Sequence, residues 1–207
     1  MPVSTEVNTA ACARARASMR MNALTAILTG VIPAVILGLW FPARPENYLI
    51  GFLVGVLWAN CFEYLYHRFL LHRPRSAISL RHSRHHADAE DEGAADVNFG
   101  TSPAGVFHLF ALHAAPVVVF DRVFRVGVAP GILVAFAVYF VTAEEIHWRI
   151  HLGGWLPPGL RSAREYHLAH HDRPDGRFNV FLPLFDWLLS TAGSSYSVGR
   201  SGRGALG

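Results

Sequence analysis

The chain has no lysine and only two cysteines, and charged residues make up just 16% of its 207 positions. Soluble domains usually carry about 25% charged residues, so this shortage argues against an ordinary soluble protein and favours a bilayer environment. Cys12 and Cys61 provide no disulfide framework, and Cys61 lies in an apolar run as a small core residue.

Two further absences exclude whole classes of partner. The basic residues, all of them arginine, form no stripe with interleaved aromatic residues, so we predict no nucleic-acid binding. No glycine-rich dinucleotide fingerprint follows a strand pattern, so we predict no flavin or nicotinamide site. If the chemistry requires electrons, they must come from another protein.

Long apolar runs are abundant. Hydrophobic residues make up 52% of the chain, and they concentrate in four runs at 23–41, 48–71, 104–120 and 126–146. At about 1.5 Å per residue, the first run suits a hydrocarbon core of about 30 Å. No small-residue cleavage site follows it, so we interpret it as a retained span rather than a signal peptide. Helices that are apolar on every side are membrane spans.

We therefore predict an all-α integral membrane protein with a four-helix transmembrane base. The predicted domain is 23–191, preceded by a loosely structured cytoplasmic tail at 1–22 and followed by a disordered tail at 192–207.

The arginines predict the orientation of this base. Nearly all of them precede the first span, separate the second from the third, or follow the fourth, whereas the opposite loops hold only Arg44, Arg122 and Arg125. The positive-inside rule then places both termini in the cytoplasm. Ten of the twelve histidines end or follow the second and fourth spans, so they gather in a helical cap on that same face.

These ten histidines form four groups. The groups are His67-x4-His72, His82-x2-His85-His86, His147-x3-His151 and His167-x2-His170-His171. On a helix, positions i, i+3 and i+4 share one face, so one turn can direct several imidazoles at one point. Imidazole suits Zn, Cu, Fe and Ni. Ten ligands exceed what one ion can hold, and we predict two metal ions.

Two glutamates lie on the ligand-bearing stripes. Glu63 precedes His67 by four residues, and Glu144 precedes His147 by three. We expect each carboxylate to accept the imidazole N–H that faces away from the metal, which would fix the tautomer and orientation of the ring. Direct ligation of the metal and simple interfacial solvation are the alternatives. Glu145 lies on the other side of its helix, and we expect a local ion pair with Arg149.

Three other features receive simpler interpretations. His108 and His113 lie inside the third run with no histidine turn after them, so we leave them out of the metal ligands; they could line a substrate cavity. The acidic loop at 88–96 is predicted to be a solvated connection, with docking of a redox partner as the alternative. The apolar stretch 178–189, which contains Asp186 and Trp187, is predicted to lie on the membrane surface.

The histidine groups resemble those of the fatty acid hydroxylase/sterol desaturase superfamily of integral membrane di-metal enzymes. The likeness runs from Glu63 to about Thr191, includes Pro183-Leu184-Phe185-Asp186-Trp187, and covers some two-thirds of the chain. The order x4, x2-HH, x3, x2-HH is most similar to the fatty acid 2-hydroxylase branch. Carotenoid hydroxylases usually have x4 in the third group, and sterol desaturases more often have x3 in the first.

The resemblance implies a di-iron oxygenase that hydroxylates an unactivated C–H bond of a lipid or fatty acyl chain with O2, even if zinc occupies the site in a preparation. It also implies a separate electron-transfer protein, cytochrome b5-like or a ferredoxin, because residues 1–22 are too few for the b5-like domain often fused to eukaryotic 2-hydroxylases. Carotenoid hydroxylation and lipid desaturation at the same site stay open. So do a metal transporter or store and a catalytically silent relative.

Overall fold

The computed structural model describes residues 5–73, 76–87, 102–151 and 154–193. All regular structure within these ranges is helical, as the composition predicts. The elements are α1 (Thr5–Trp40), α2 (Pro45–Tyr66), a π-helix (His67–Leu71), α3 (Ala77–Ala87), α4 (Pro103–Phe124), α5 (Ala129–His151), a 3₁₀ turn (Pro158–Leu160), α6 (Arg161–Asp172) and α7 (Leu184–Leu188).

Four of these helices are long and apolar enough to cross a membrane. The candidate spans are Arg16–Trp40, Pro45–Leu71, Pro103–Phe124 and Ala129–His151. Large apolar side chains on them face outward, including Leu39, which is 74% exposed, and Leu112, which is 72% exposed. Such exposure is costly in water and ordinary in lipid. The predicted four-helix transmembrane base is confirmed.

Local chemistry sets the helix ends of α4. The Ser102 side chain accepts the N–H of Gly105 at 3.1 Å, and Pro103 occupies the first helical turn, where its missing N–H costs nothing. At the other end Arg125 adopts a left-handed conformation with φ of 53°, which stops the helix before the turn into α5.

Helix α5 is the centre of the base and packs against α1, α2 and α4. Its contact with α2 depends on glycine. A Cβ at Gly51 would lie 2.1 Å from the carbonyl oxygen of Val128, and a Cβ at Gly131 would lie 2.1 Å from that of Tyr48. Small residues at these positions let the two backbones touch, as in other membrane helix pairs.

Helix α1 differs from the prediction at its start. The helix already begins at Thr5, well before the apolar run, so the segment expected to be loosely structured is helical from that residue. The Arg16 guanidinium lies 6.0 Å from the ring centre of Trp148 near the end of α5. Packing of this kind extends a helix beyond its apolar run. The assignment of a tail and a domain stays a prediction.

The ends and loops complete the comparison with the sequence. The predicted acidic loop at 88–96 lies outside the described residues, as does the predicted tail from 194 onward. The stretch 178–189 combines buried and exposed side chains, and its position on the membrane surface stays a prediction. Residues 178–183 are non-helical, α7 covers only five residues, and Asp186 is fully buried while Trp187 is 63% exposed.

Candidate metal centre

The ten predicted ligands come together in two groups of five. In each group the ligating nitrogens all lie within 4.8 Å of one another. Cluster one contains His67, His72, His82, His86 and His170. Cluster two contains His85, His147, His151, His167 and His171. Each cluster therefore draws on all three kinds of element, a membrane helix, α3 and α6.

A widened helical turn brings the first two ligands of cluster one together. His67 and His72 are five residues apart, a spacing that an α-helix places on different faces. In the π-helix that follows α2, the N–H of His72 donates to the carbonyl of His67 at 3.3 Å. The two imidazoles stack with their centres 5.0 Å apart. Single π-turns within helices are frequent at functional sites.

Helix α3 serves both clusters. His82 and His86 are four residues apart and belong to cluster one, whereas His85 between them belongs to cluster two. Counted from His82, the helix rotates by about 300° to His85 and by about 400° to His86. The side chains of His85 and His86 therefore differ in direction by about 100°. That divergence suffices to reach two neighbouring points.

Helix α6 repeats this division with the clusters exchanged. His167 and His171 belong to cluster two, and His170 belongs to cluster one. The two clusters are in direct contact, because the rings of His86 and His171 stack with their centres 4.2 Å apart.

The Nε2 atoms of cluster one point at a common centre. The Nε2 of His82 lies 3.0 Å from that of His67, 3.2 Å from that of His72 and 3.0 Å from that of His86. The Nε2 atoms of His72 and His170 are 3.1 Å apart. Ligands about 2.1 Å from one ion and at right angles to each other are about 3 Å apart, so this spacing is that of a coordination shell.

Cluster two has the same spacing. The Nε2 of His167 lies 3.1 Å from that of His151 and 3.2 Å from that of His171. His85 contributes a ring whose centre is 4.5 Å from that of His151 and 4.9 Å from that of His147. His147 and His151 are four residues apart, so an ordinary α-helix already presents them together.

Backbone carbonyls fix two rings of cluster one. The Nδ1–H of His67 donates to the carbonyl of Phe178 at 2.5 Å, and the Nδ1–H of His170 donates to that of Gly176 at 2.6 Å. A carbonyl only accepts, so these bonds place the proton on Nδ1 and leave the Nε2 lone pair directed at the cluster. In the described part of cluster two, the buried Nδ1 atoms of His85, His167 and His171 make no hydrogen bond.

Burial keeps the cap histidines neutral. Desolvation, assisted by neighbouring imidazoles, lowers the pKa of His86 to about 4 and the pKa of His82 and of His171 to about 2. Desolvation likewise lowers the pKa of His170 to about 3 and holds the pKa of His85 far below its ordinary value. Neutral imidazole is the form that binds a metal.

The donor set fits metal ions. Both ring nitrogens of His85 are buried and make no hydrogen bond to any described residue. An imidazole left in this state costs free energy unless something else engages it, and a metal ion would do so. Ten neutral nitrogens without a carboxylate suit Fe or Zn better than Mg or Ca.

Glu63 does not contact the imidazoles in the way we expected. Its carboxylate accepts hydrogen bonds from the Tyr139 hydroxyl at 2.8 Å, the Asn179 side-chain amide at 2.8 Å and the Val180 N–H at 3.3 Å. It therefore supports the segment that follows α6 rather than a ring directly. The role of Glu144, which is buried on α5, stays a prediction. The expected ion pair between Glu145 and Arg149 is confirmed at 2.6 Å.

Sequence reasoning missed Asn60, which joins the polar network around Glu63 through Tyr139. Asn60 is fully buried, and its side-chain amide donates to the Tyr139 hydroxyl at 2.6 Å and to the Leu182 carbonyl at 2.7 Å. One signal was available. An asparagine in the middle of an apolar membrane run is expensive there and marks a specific polar contact.

A mostly apolar cavity of about 270 Å³ lies within the membrane base, and its lining includes Tyr66, which directly precedes the ligand His67. Helices α2, α4 and α5 form its walls, with Ile78 of α3 on the cap side. Along α5 the lining extends over about 12 Å of helix, from Phe136 to Glu144. Glu144 precedes the ligand His147 by three residues. Glu63 lines the cavity at the corresponding level of α2.

The two histidines of the third run have different positions. His108 lines the cavity, as we considered possible, and its Nδ1 donates to the carbonyl of Ala104 at 2.7 Å. His113 instead packs between the rings of Phe62 at 4.1 Å and Phe136 at 4.4 Å.

Comparison with known proteins agrees with the motif order. The chain is 30% identical over 167 residues to the dihydroceramide fatty acyl 2-hydroxylase FAH2 of Arabidopsis thaliana, covering 74% of this chain and 63% of the relative. It is 28% identical over 162 residues to the fatty acid 2-hydroxylase of Rattus norvegicus, covering 71% and 41%. The chain thus spans less than two thirds of each relative.

The fold is also found in a solved structure. Full-length scs7p, in which only the hydroxylase domain is visible, superposes with a TM-score of 0.60 at 22% identity, covering 83% of this chain and 66% of that one. The model of the fatty acid hydroxylase family matches residues 52–191, which is more than half of the chain and includes every histidine of both clusters. The resemblance seen in the sequence is therefore confirmed, and the chain belongs to the fatty acid hydroxylase family.

Proposed function

We propose that the protein is a membrane-bound di-iron oxygenase that hydroxylates the acyl chain of a lipid. One observation carries the proposal: two neighbouring five-imidazole clusters draw ligands from the ends of membrane-spanning helices, and the same helices wall an apolar cavity whose lining includes Glu63 and Glu144, four and three residues before a ligand. Family membership supports the same activity.

The ten histidines would hold one iron ion in each cluster. Bound iron would supply the activation of O2: one oxygen atom would be inserted into a C–H bond and the other would leave as water, with two electrons from a separate donor protein and two protons from solvent. The chain itself supplies neutral ligands, oriented by the Nδ1 hydrogen bonds of His67 and His170. The cavity supplies a place where an acyl chain stays out of water next to the metals.

The wall on the α4 side supplies the path for the substrate. His108 and Leu112 line the cavity and are also exposed on the outer surface of the base. The cavity therefore opens at α4 toward the surrounding lipid. We propose that an acyl chain enters sideways from the bilayer, and that its lipid resembles the dihydroceramide in the name of one relative.

The orientation follows the arginine distribution. We propose that both clusters and both termini face the cytoplasm, where a soluble or membrane-anchored electron donor can reach the cap.

Lipid mass spectrometry tests the activity. Cells expressing the protein are expected to accumulate acyl chains that have gained one oxygen atom, and His85→Ala or His170→Ala is expected to abolish this gain without preventing membrane insertion. Each substitution removes a ligand from a different cluster. Product at the level of the unsubstituted protein in either variant would overturn the assignment. A loss of two hydrogens in place of the oxygen gain would identify a desaturase.

A filled cavity tests the substrate path. Ala143→Phe adds a large side chain to the lining, whereas Ala111→Phe adds the same side chain to the outer surface of α4. We expect Ala143→Phe to reduce product more than about tenfold at unchanged metal content, because the acyl chain and the new ring compete for one space. Equal activity of the two variants would contradict this path.

A further inference from the structure

We propose that the buried Asp186 is a positioning residue for cluster one alone. It would act with Glu63 by bracing the non-helical segment after α6, whose carbonyls hold two imidazoles of that cluster. The inference rests on the proposed metal sites. It adds to them that metal binding at cluster one depends on the carboxylate of Asp186, which contacts neither metal nor substrate.

The non-helical segment after α6, residues 173–183, lies against the membrane helix α2. The Leu182 carbonyl accepts from the Asn60 amide, and the Phe185 N–H donates to the Asn60 side-chain oxygen at 3.4 Å. Asn60 lies seven residues before His67 on α2, which is about 10 Å of helix away from cluster one. Irregular backbone at such depth persists only where protein groups satisfy its polar atoms, since no water is available to do so.

Asp186 satisfies the backbone at the start of this segment. One carboxylate oxygen accepts the Phe178 N–H at 2.9 Å and the Thr191 hydroxyl at 2.7 Å, and the other accepts the Asn179 N–H at 2.8 Å. The side chain is fully buried. Two consecutive N–H groups are thereby fixed on one carboxylate, which sets the direction of the intervening peptide.

Glu63 fixes the next residues of the same segment. Through Asn179 and the Val180 N–H it ties the segment to α2, and through the Tyr139 hydroxyl it ties α2 to α5. The Asn179 amide also donates to the Asn60 carbonyl at 3.0 Å. The brace is therefore a connected polar network, and such networks lose much of their effect when one member is removed.

The brace acts on cluster one through Phe178. The same residue whose N–H is held by Asp186 presents its carbonyl to His67, and Gly176 two residues earlier presents its carbonyl to His170. Substitution of such outer partners usually costs about 10- to 100-fold in metal affinity.

Cluster two is held differently. Val180 of this segment belongs to an apolar cluster with Ile146, Ile150 and Ala163, and no described hydrogen bond joins the segment to His85, His167 or His171. Loss of the brace should therefore weaken one metal and leave the other in place.

The test counts metals in the purified full-length protein loaded with Zn²⁺ and titrated with a chelator. Asp186→Asn replaces one carboxylate oxygen with an NH2 group, which cannot accept a hydrogen bond. One of the two backbone N–H groups, of Phe178 or Asn179, therefore loses its acceptor. We expect one metal equivalent to be released at about 10- to 100-fold lower chelator concentration, and the second to be retained as in the unsubstituted protein.

A matched control lies at the other end of the base. Asp121 is also a buried carboxylate that accepts two backbone N–H groups, from Val128 at 2.6 Å and Ala129 at 3.1 Å. Asp121→Asn makes the same chemical change far from the clusters and is expected to leave both metals unaffected. A purely structural role for Asp186 predicts instead that both metals are lost together or that neither is.

A milder variant tests the same inference if Asp186→Asn does not fold. Tyr139→Phe removes only the hydroxyl that donates to Glu63, and we expect a smaller weakening of the same single metal. The inference is overturned if each variant that folds keeps both metals as tightly as the unsubstituted protein, or weakens both equally. If the unsubstituted protein itself binds no zinc pair, the proposed function fails instead, so the two failures are distinguishable.

Discussion

The two clusters each bring five imidazoles together, but the local structures that do so differ. In cluster two, His147 and His151 are four residues apart on an ordinary α-helix. In cluster one, His67 and His72 are five apart and converge only because the helix widens into a π-turn. Carbonyls from a distant segment orient two rings of cluster one, whereas no described hydrogen bond holds the Nδ1 of His85, His167 or His171.

This difference shows that a symmetric set of motifs need not produce equivalent sites. Cluster two depends mainly on helical periodicity, which is local and robust. Cluster one depends on a π-turn and on the packing of residues 176–186, both of which need the assembled base. We therefore expect cluster one to be more sensitive to changes outside the ligand set.

The largest expected effect comes from pairs of ligand substitutions. His170→Ala with His171→Ala should remove both metals, although the residues are adjacent, because they belong to different clusters. His72→Ala with His170→Ala should remove only one, although the residues are far apart in sequence, because both belong to cluster one. Metal content of the purified variants measures this directly. An equal loss in both pairs would contradict the division of ligands.

A smaller effect is expected from the glycine that supports His170. A Cβ at Gly176 would lie 2.6 Å from the Thr191 carbonyl oxygen, so Gly176→Ala must shift the backbone whose carbonyl accepts from His170. We expect about 10- to 100-fold weaker binding of one metal. Gly159→Ala is the control, since a Cβ there has no described neighbour within 4 Å. Identical metal affinities in the two variants would show that this carbonyl contributes nothing.

The smallest effect concerns pH, and here the clusters should behave alike. The pKa of His86 is lowered to about 4 and that of His171 to about 2 from an ordinary 6.5, mainly because burial disfavours the charged ring. Below pH 6.5 the unfolded chain binds protons that the folded chain does not. The free energy of unfolding of the metal-free protein therefore falls as the pH falls toward 4.

Unfolding temperatures of the metal-free protein at about pH 7 and about pH 5 measure this dependence. His86→Gln and His171→Gln should each flatten it to a similar degree, because both rings of the folded protein stay neutral throughout that interval. His108→Gln, outside both clusters, is the control. A steeper dependence in either cluster variant would contradict the argument.

Much of this protein was predictable from local pattern. The apolar runs identified all four spans, because hydrophobic length is a property of consecutive residues. The histidine groups identified the ten residues that meet in two clusters. For eight of them the reason is that i, i+3 and i+4 positions share a helical face, whereas His67 and His72 need the π-turn. Neither prediction required information about how the helices pack against one another.

Tertiary structure alone decided the rest. From the sequence we predicted His82, His85 and His86 as one group, yet the contacts of α3 with α6 and the membrane helices assign them to different clusters. We also predicted a direct contact from Glu63 to an imidazole, where the fold uses Glu63 to brace residues 178–180. The physical reason is the same in both cases: residues far apart in the chain choose these partners, and only the packed helices bring them within reach.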